Sequence, residues 1–242
     1  VDGPGTLRSR PPGEESTIAA LLEKSLRDGD TVATDMLIRR VGEVDLNRRV
    51  REWIGRGFGQ VTTHLQERYA AYGGLHPGVA KLTNTDMIRV QEAGEGEARL
   101  DQLAALLDVE RDDLAHASLE GVFEEFHATG SNAWPLEMFA DMLEQLVTGQ
   151  LLSPASMRRL LDHMRAARPA GGGIEDGLPS GTDFAAASGT GFQRACQAGV
   201  LGAADPGQAT IVVACIRDFG EPENAGRALQ AVGRALSRAG LA

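Results

Sequence analysis

A glycine-containing segment near the C-terminus, Ala187-Ser188-Gly189-Thr190-Gly191, limits the possible folds more than any other part of the sequence. It lies between two apolar segments, and a long amphipathic pattern comes later in the chain. Periodicity predicts a final helix over about residues 222–239 and strands over about residues 183–188, 192–201 and 209–217. Because glycines carry no side chain, they clear the first strand's face and let a ligand backbone lie close beside it.

The chain before this strand is predicted to be mostly helical. Apolar residues at helical spacing predict early helices over about residues 17–27, 31–40 and 44–54. Pro135 is expected in the first turn of a later helix capped by Ser131 or Asn132. Helices first and antiparallel strands last are typical of an α+β domain or an α/β sandwich.

Three regions are expected along the chain. Residues 1–59 form an all-helical part, residues 60–131 a helical lobe inserted into the parent domain, and residues 132–242 a helix pair, antiparallel strands and the C-terminal helix. With 242 residues, one domain, or one domain and a lobe, can bury a full core.

Composition excludes several functional classes. A net charge of −10 and the lack of a basic stripe argue against a nucleic-acid partner. No apolar run approaches membrane-spanning length, so we expect no membrane partner and a soluble protein whose compartment, cytoplasmic or secreted, is unknown. The histidines have no metal-ligand spacing, and neither a metal nor a cofactor is implied. They are His64, His76, His116, His127 and His163.

The two cysteines, Cys196 and Cys215, fall in consecutive predicted strands. A hairpin turning near Asp205-Pro206-Gly207 would bring them roughly opposite each other. Two thiols packed in the core is the preferred interpretation, since two cysteines do not make a disulfide framework. A cross-strand disulfide is the alternative.

Two longer segments carry a recognisable pattern: Gly29-Asp30-Thr31 with the residues that follow it to Gly42, and residues 151–191. The first resembles the Ser-Asp-Asn turn of class A β-lactamases and penicillin-binding proteins. The second resembles the helix pair, loop and Lys-Thr-Gly strand of the same proteins. The resemblance implies a β-lactamase-like α/β sandwich, with an antiparallel sheet flanked by helices. In the inserted region, Leu82-Thr83 and residues 126–131 resemble β-lactamase-like proteins of actinobacterial antibiotic clusters.

The resemblance implies a set of substrate-binding residues, namely Asp30, Thr31, Ser188, Gly189, Thr190 and Gly191. Gly29 cannot relay the proton that the family's Ser relays, and Ala187 lacks the cation of the family's Lys. A neutral ligand, or one whose charge meets an arginine such as Arg194, is therefore more plausible than an ordinary carboxylated β-lactam. Each segment also has an interpretation without a ligand. In the turn, Asp30 would only cap the helix that begins at Thr31, and residues 187–191 would be an edge strand that glycines interrupt.

The catalytic residues are unknown, because the chain contains no Ser-x-x-Lys. Leu21 lies three residues before Lys24, and Gly78 three residues before Lys81, and these are the only lysines. We expect that the sequence begins inside the domain and that the nucleophile lies upstream; the alternative is that the protein never had it. An acidic side chain for deacylation is not selected among Glu92, Glu95, Glu97, Glu124 and Glu125.

Three functions follow in order of preference. The first is a β-lactamase-like serine hydrolase or acyltransferase that acts on a small amide or ester in antibiotic or secondary-metabolite biosynthesis. The second is a non-catalytic binding or partner protein that kept the fold. The third is a true β-lactamase.

Overall fold

The structure is a computed structural model that describes residues 6–7, 10–11, 13–55, 57–94, 96–169 and 171–241. The described residues hold ten α-helices and three strands. The helices are α1 Ile18–Arg27, α2 Thr31–Val41, α3 Glu43–Ile54, α4 His64–Gly73, α5 Asn84–Glu92, α6 Glu97–Leu107, α7 Leu119–Ala128, α8 Leu136–Val147, α9 Pro154–Ala166 and α10 Pro222–Arg238. The strands are β1 Phe184–Gly191, β2 Arg194–Leu201 and β3 Thr210–Arg217.

The helix boundaries follow local sequence signals. The Thr17 hydroxyl accepts a hydrogen bond from the Ala20 N–H at 3.2 Å and begins α1. Gly42 has a φ of +89°, which favours glycine, and its N–H donates to the Ile38 carbonyl at 2.8 Å at the end of α2. The predicted starts and ends of the first three helices therefore agree with the structure to within about two residues.

The predicted capping of α8 is wrong. The helix begins at Leu136, and Pro135 precedes it without a side-chain cap. Neither Ser131 nor Asn132 is the capping residue. Asn132 has a φ of +52°, and its side chain is used elsewhere, in the contacts described below.

The chain forms two compact units. The first contains the described part of residues 1–14 together with Thr31–Arg48 and Gly59–Ala133. The second contains Glu15–Asp30, Arg49–Phe58 and Trp134–Ala242.

In the first unit, buried polar side chains fix the segment that leads into α4. The Asp35 carboxylate of α2 accepts hydrogen bonds from the N–H groups of His64 at 2.7 Å and Leu65 at 3.2 Å. The Asn47 amide of α3 donates to the Val61 carbonyl at 2.8 Å and accepts from the Val61 N–H at 2.7 Å. Because both side chains are buried, these bonds satisfy polar groups that would otherwise be costly to bury.

Residues 59–63 and 130–133 of the same unit lie side by side. The Gly59 N–H donates to the Ala133 carbonyl, and the Asn132 N–H donates to the Gln60 carbonyl, each at 3.0 Å. The Asn132 side-chain oxygen accepts from the Thr62 N–H at 2.8 Å. These bonds close the base of the 60–131 region, which we continue to interpret as an inserted lobe.

In the second unit, β1, β2 and β3 form an antiparallel sheet in that order, covered on both faces. One face packs against α8 and α9 through residues such as Leu143, Leu161 and Val200. The other packs with α10 through residues such as Phe184, Val212 and Leu229. The second unit is therefore a helix–sheet–helix sandwich, and the predicted antiparallel sheet flanked by helices is confirmed.

The preferred interpretation of the cysteines as free thiols is wrong. Cys196 and Cys215 form a disulfide, with their Cα atoms 4.1 Å apart. The register of β2 and β3 places the two residues directly opposite each other. Residues in that relation have neighbouring Cβ atoms, so the pairing of the strands brings the sulfurs within bonding reach.

Candidate functional site

The four residues Ser188–Gly191 at the end of β1 are all exposed, whereas Phe184–Ala186 at its start are buried. The strand lies at the edge of the sheet, and no other strand of the described chain pairs with its outer side. An edge strand presents unpaired backbone N–H and C=O groups to which an extended ligand can hydrogen-bond. The C-terminal half of β1 is therefore an exposed strand edge, and its part in ligand binding remains a prediction.

The predicted binding residues of β1 divide between the two faces of the sheet. Successive side chains in a strand point to opposite faces. Gly189 and Gly191 lie on the face that packs against α8 and α9, since Ala187 belongs to that core. Ser188 and Thr190 lie on the α10 face with Ala186. The strand therefore offers a face without side chains and a face with two hydroxyl groups.

The glycine face of β1 is open. A Cβ atom built on Gly189 or Gly191 meets no atom within 4 Å. By contrast, a Cβ on Gly199 of β2 would lie 2.6 Å from the Ala185 carbonyl oxygen and 2.7 Å from the Ala186 Cβ. Gly199 is thus required for packing within the sheet, whereas Gly189 and Gly191 leave free space beside the strand.

Two arginines lie next to this open face. Arg194 is directly opposite Gly191, and Arg217 is directly opposite Arg194. Residues that are directly opposite share a face, so both guanidinium groups are on the glycine side. Within the described residues, neither guanidinium group forms a salt bridge with a carboxylate. Like charges directly opposite each other are unfavourable, and an anion would offset that repulsion.

A side-chain clamp holds the turn that ends β1. The Gln193 amide donates to the Gly220 carbonyl and accepts from the Gly220 N–H, both at 2.9 Å. The Gln193 carbonyl also accepts the Asp218 N–H at 3.0 Å. The clamp ties the β1–β2 turn to the residues between β3 and α10, and sequence analysis missed it because it joins residues 27 positions apart.

The Gly29-Asp30-Thr31 turn is well defined. Gly29 has a φ of +62°, Asp30 is fully buried, and Thr31 is the half-buried first residue of α2. The Asp30 N–H donates to the Lys24 carbonyl at 3.0 Å and so joins the turn to the end of α1. Asp30 belongs to the second unit and Thr31 to the first. Their part in ligand binding remains a prediction.

The structure selects no acidic residue for deacylation. Glu92, Glu97, Glu124 and Glu125 are exposed, and Glu95 lies outside the described residues. The described chain also contains no group of three or more His, Cys, Asp and Glu side chains that could hold a metal ion. In the part of the chain that the structure covers, no helix is long and apolar enough to cross a membrane.

Solved structures with the same architecture include penicillin-binding proteins and class A β-lactamases. PBP-A is 19% identical with a TM-score of 0.61, covering 99% of this chain and 67% of that chain. A putative class A β-lactamase, PenP from Rhodopseudomonas palustris, is 20% identical with a TM-score of 0.57, and the match covers 94% of this chain and 67% of that chain. An ancestral class A β-lactamase is 19% identical with a TM-score of 0.56, covering 94% and 67%. The chain thus spans about two thirds of the length of these structures, and the predicted β-lactamase-like α/β sandwich is confirmed.

The sequence itself matches a family model. No protein of curated function has a matching sequence. The model of the beta-lactamase enzyme family, however, matches residues 1–239, almost the whole chain. That match and the shared architecture agree with the resemblance seen in the Gly29-Asp30-Thr31 turn and the β1 strand. The chain belongs to the beta-lactamase enzyme family.

Proposed function

We propose that this chain binds a small acyl compound, an amide, an ester or a β-lactam-like molecule, along the exposed end of β1. The observation that carries the proposal is the open glycine face at Gly189 and Gly191 on an unpaired sheet edge. In this proposal the ligand's backbone-like amide pairs with the strand edge, and its body lies in the space that the glycines leave.

An arginine replaces the cation that Ala187 does not supply. Arg194 and Arg217 lie on the same face as the glycines, at the rung that contains Gly191. A guanidinium group binds a carboxylate with two parallel hydrogen bonds, which fixes the orientation of the ligand as well as its position. The ligand we propose is therefore an acyl compound whose anionic group meets Arg194.

The chemistry in this proposal is that of a serine hydrolase or acyltransferase. In this proposal the nucleophile lies outside residues 1–242, because no serine in that range precedes a lysine by three positions. A serine supplied by sequence outside this range would attack the bound carbonyl and form an acyl-enzyme. If no acidic residue deacylates it, the acyl group would last long enough to pass to an amine or alcohol. Transfer of this kind suits antibiotic or secondary-metabolite biosynthesis.

The test is labelling of the protein, as encoded, with a fluorescent penicillin, followed by intact mass measurement. The expected result is a covalent adduct whose rate of formation falls about tenfold or more in Gly189→Val, which fills the open space. Arg194→Leu should also slow labelling, whereas Arg227→Leu, which removes an exposed arginine from α10, should not. Labelling that is equally fast in Gly189→Val would overturn the proposed position of the ligand.

A non-catalytic binding protein is the second candidate. Gly29, Ala187 and the missing Ser-x-x-Lys each remove a group that the family's chemistry uses. This candidate predicts reversible binding of the same penicillin with no change in protein mass. A true β-lactamase is the third candidate, and efficient hydrolysis of a chromogenic cephalosporin would support it.

A further inference from the structure

The disulfide lies on the same rung of the sheet as the open glycine. Gly189 of β1 is directly opposite Cys196 of β2, which is directly opposite Cys215 of β3. All three residues share one face of the sheet, and directly opposite Cβ positions are typically about 4.5–5.5 Å apart. Cys196 therefore has the disulfide partner on one side and the empty space over Gly189 on the other.

We propose that Cys196 controls access to the glycine face of β1 through its redox state, an inference that rests on the proposed function. In the disulfide, the Cys196 sulfur is bonded to Cys215 and is directed toward β3. A free Cys196 thiol can rotate about its Cα–Cβ bond into the other staggered positions. Since no atom lies within 4 Å of the Cβ position of Gly189, that rotation places the sulfur in the space that the ligand would use.

The switching step is an ordinary thiol–disulfide exchange with a dithiol reductant. The thiolate of the reductant attacks one sulfur, the Cys196–Cys215 bond breaks, and a mixed disulfide forms. The second thiol of the reductant then displaces the protein sulfur. Two electrons and two protons are transferred in total, leaving two protein thiols and an oxidised reductant. Both cysteines are half-buried, so they are not sealed inside the core.

The sheet keeps other restraints when the disulfide is reduced. The antiparallel pairing runs over the whole length of β2 and β3, from Arg194–Arg217 to Leu201–Thr210. The Gln193–Gly220 clamp holds the adjacent turn through two hydrogen bonds that do not involve sulfur. Reduction therefore changes the side chain beside Gly189 and leaves the strand in place.

Two single variants separate this mechanism from simple loss of a cross-link. Both Cys215→Ala and Cys196→Ala lack the disulfide, but only Cys215→Ala keeps a thiol next to Gly189. We expect Cys215→Ala, and the reduced wild-type protein, to react with the fluorescent penicillin about tenfold more slowly than the oxidised wild type. Cys196→Ala should react at a rate close to that of the oxidised wild type and should not respond to dithiothreitol.

The outcomes separate failure of the proposed function from failure of the redox control by Cys196. If no form of the protein binds or reacts with the penicillin, the proposed function and this inference both fail. If the oxidised protein reacts and the two variants slow it equally, or not at all, the inference alone is overturned. Should a variant fail to fold, the wild-type protein provides the same decision: labelling must fall on reduction and return on reoxidation, and an unchanged rate contradicts the inference.

Discussion

The Cys196–Cys215 disulfide is expected to contribute about 3 kcal/mol to the free energy of unfolding. Its two residues are 19 positions apart in sequence. For a closed loop of that length, the chain-entropy relation gives about 11 cal/mol/K, or about 3 kcal/mol at 25 °C. In a chain of this size each kcal/mol shifts Tm by about 2–4 °C, so reduction should lower Tm by about 6–12 °C.

Differential scanning calorimetry with and without a phosphine reductant measures this effect. The Cys196→Ala/Cys215→Ala double variant is the control: it should have the lower Tm in both conditions. The predicted loss is smaller than the 5–15 kcal/mol that is typical of folded domains, so the reduced protein should remain folded. A thiol assay that shows full reduction, together with an unchanged Tm, would refute the reasoning.

Four further substitutions test the packing and the hydrogen bonds. Gly199→Ala should lower the free energy of unfolding measured in urea by about 1–3 kcal/mol, because the new Cβ atom would clash with the backbone of β1. Gly189→Ala should change the same quantity by less than about 0.5 kcal/mol, because the new Cβ atom meets open space. Equal effects would contradict the contrast between the two glycines. Asn47→Leu should cost about 2–4 kcal/mol, since it leaves the buried backbone groups of Val61 without partners. A neutral effect in the same assay would contradict the role given to the Asn47–Val61 hydrogen bonds. Hydrogen bonds from the Thr83 hydroxyl and N–H lower the pKa of the Asp86 carboxyl in the folded protein. The ionised Asp86 therefore stabilises the fold at a pH above its pKa in the unfolded chain, and this stabilisation is lost as the pH falls through its pKa in the folded protein. Thr83→Val should raise the pKa of Asp86 in an NMR titration, and an unchanged titration would show that the hydroxyl has no such effect.

The secondary structure could be predicted where its causes are local. The helix that begins at Thr31 and ends at Gly42 is specified by its apolar spacing and by a glycine stop. Periodicity places the first strand over about residues 183–188, and the glycines after it are expected to clear the face of that strand; in the structure β1 continues to Gly191. Pairing with β2 as far as Arg194 stabilises this extension, and strand pairing of that kind outweighs the weak β-propensity of glycine.

The contacts that shape the candidate site could not be predicted, because they join distant parts of the chain. Asn132 is, with Ser131, one of two residues predicted to cap α8, but its side chain contacts a segment 70 residues away. The hairpin predicted near residues 205–207 places Cys196 and Cys215 roughly opposite each other, but only the register of β2 and β3 shows that they are directly paired. Alternation along a strand predicts that Ser188 and Gly189 face opposite sides of the sheet, but the sequence could not show that the Gly189 side is the one packed against α8 and α9.

Hydrogen exchange across β1 tests the central claim most directly. The exposed edge at Ser188–Gly191 is the proposed contact with the acyl compound. With saturating penicillin G, the peptide that covers residues 184–194 should exchange more slowly in the oxidised protein, and Gly189→Val should abolish that protection. Protection that appears elsewhere in the chain while this peptide exchanges unchanged would contradict the account.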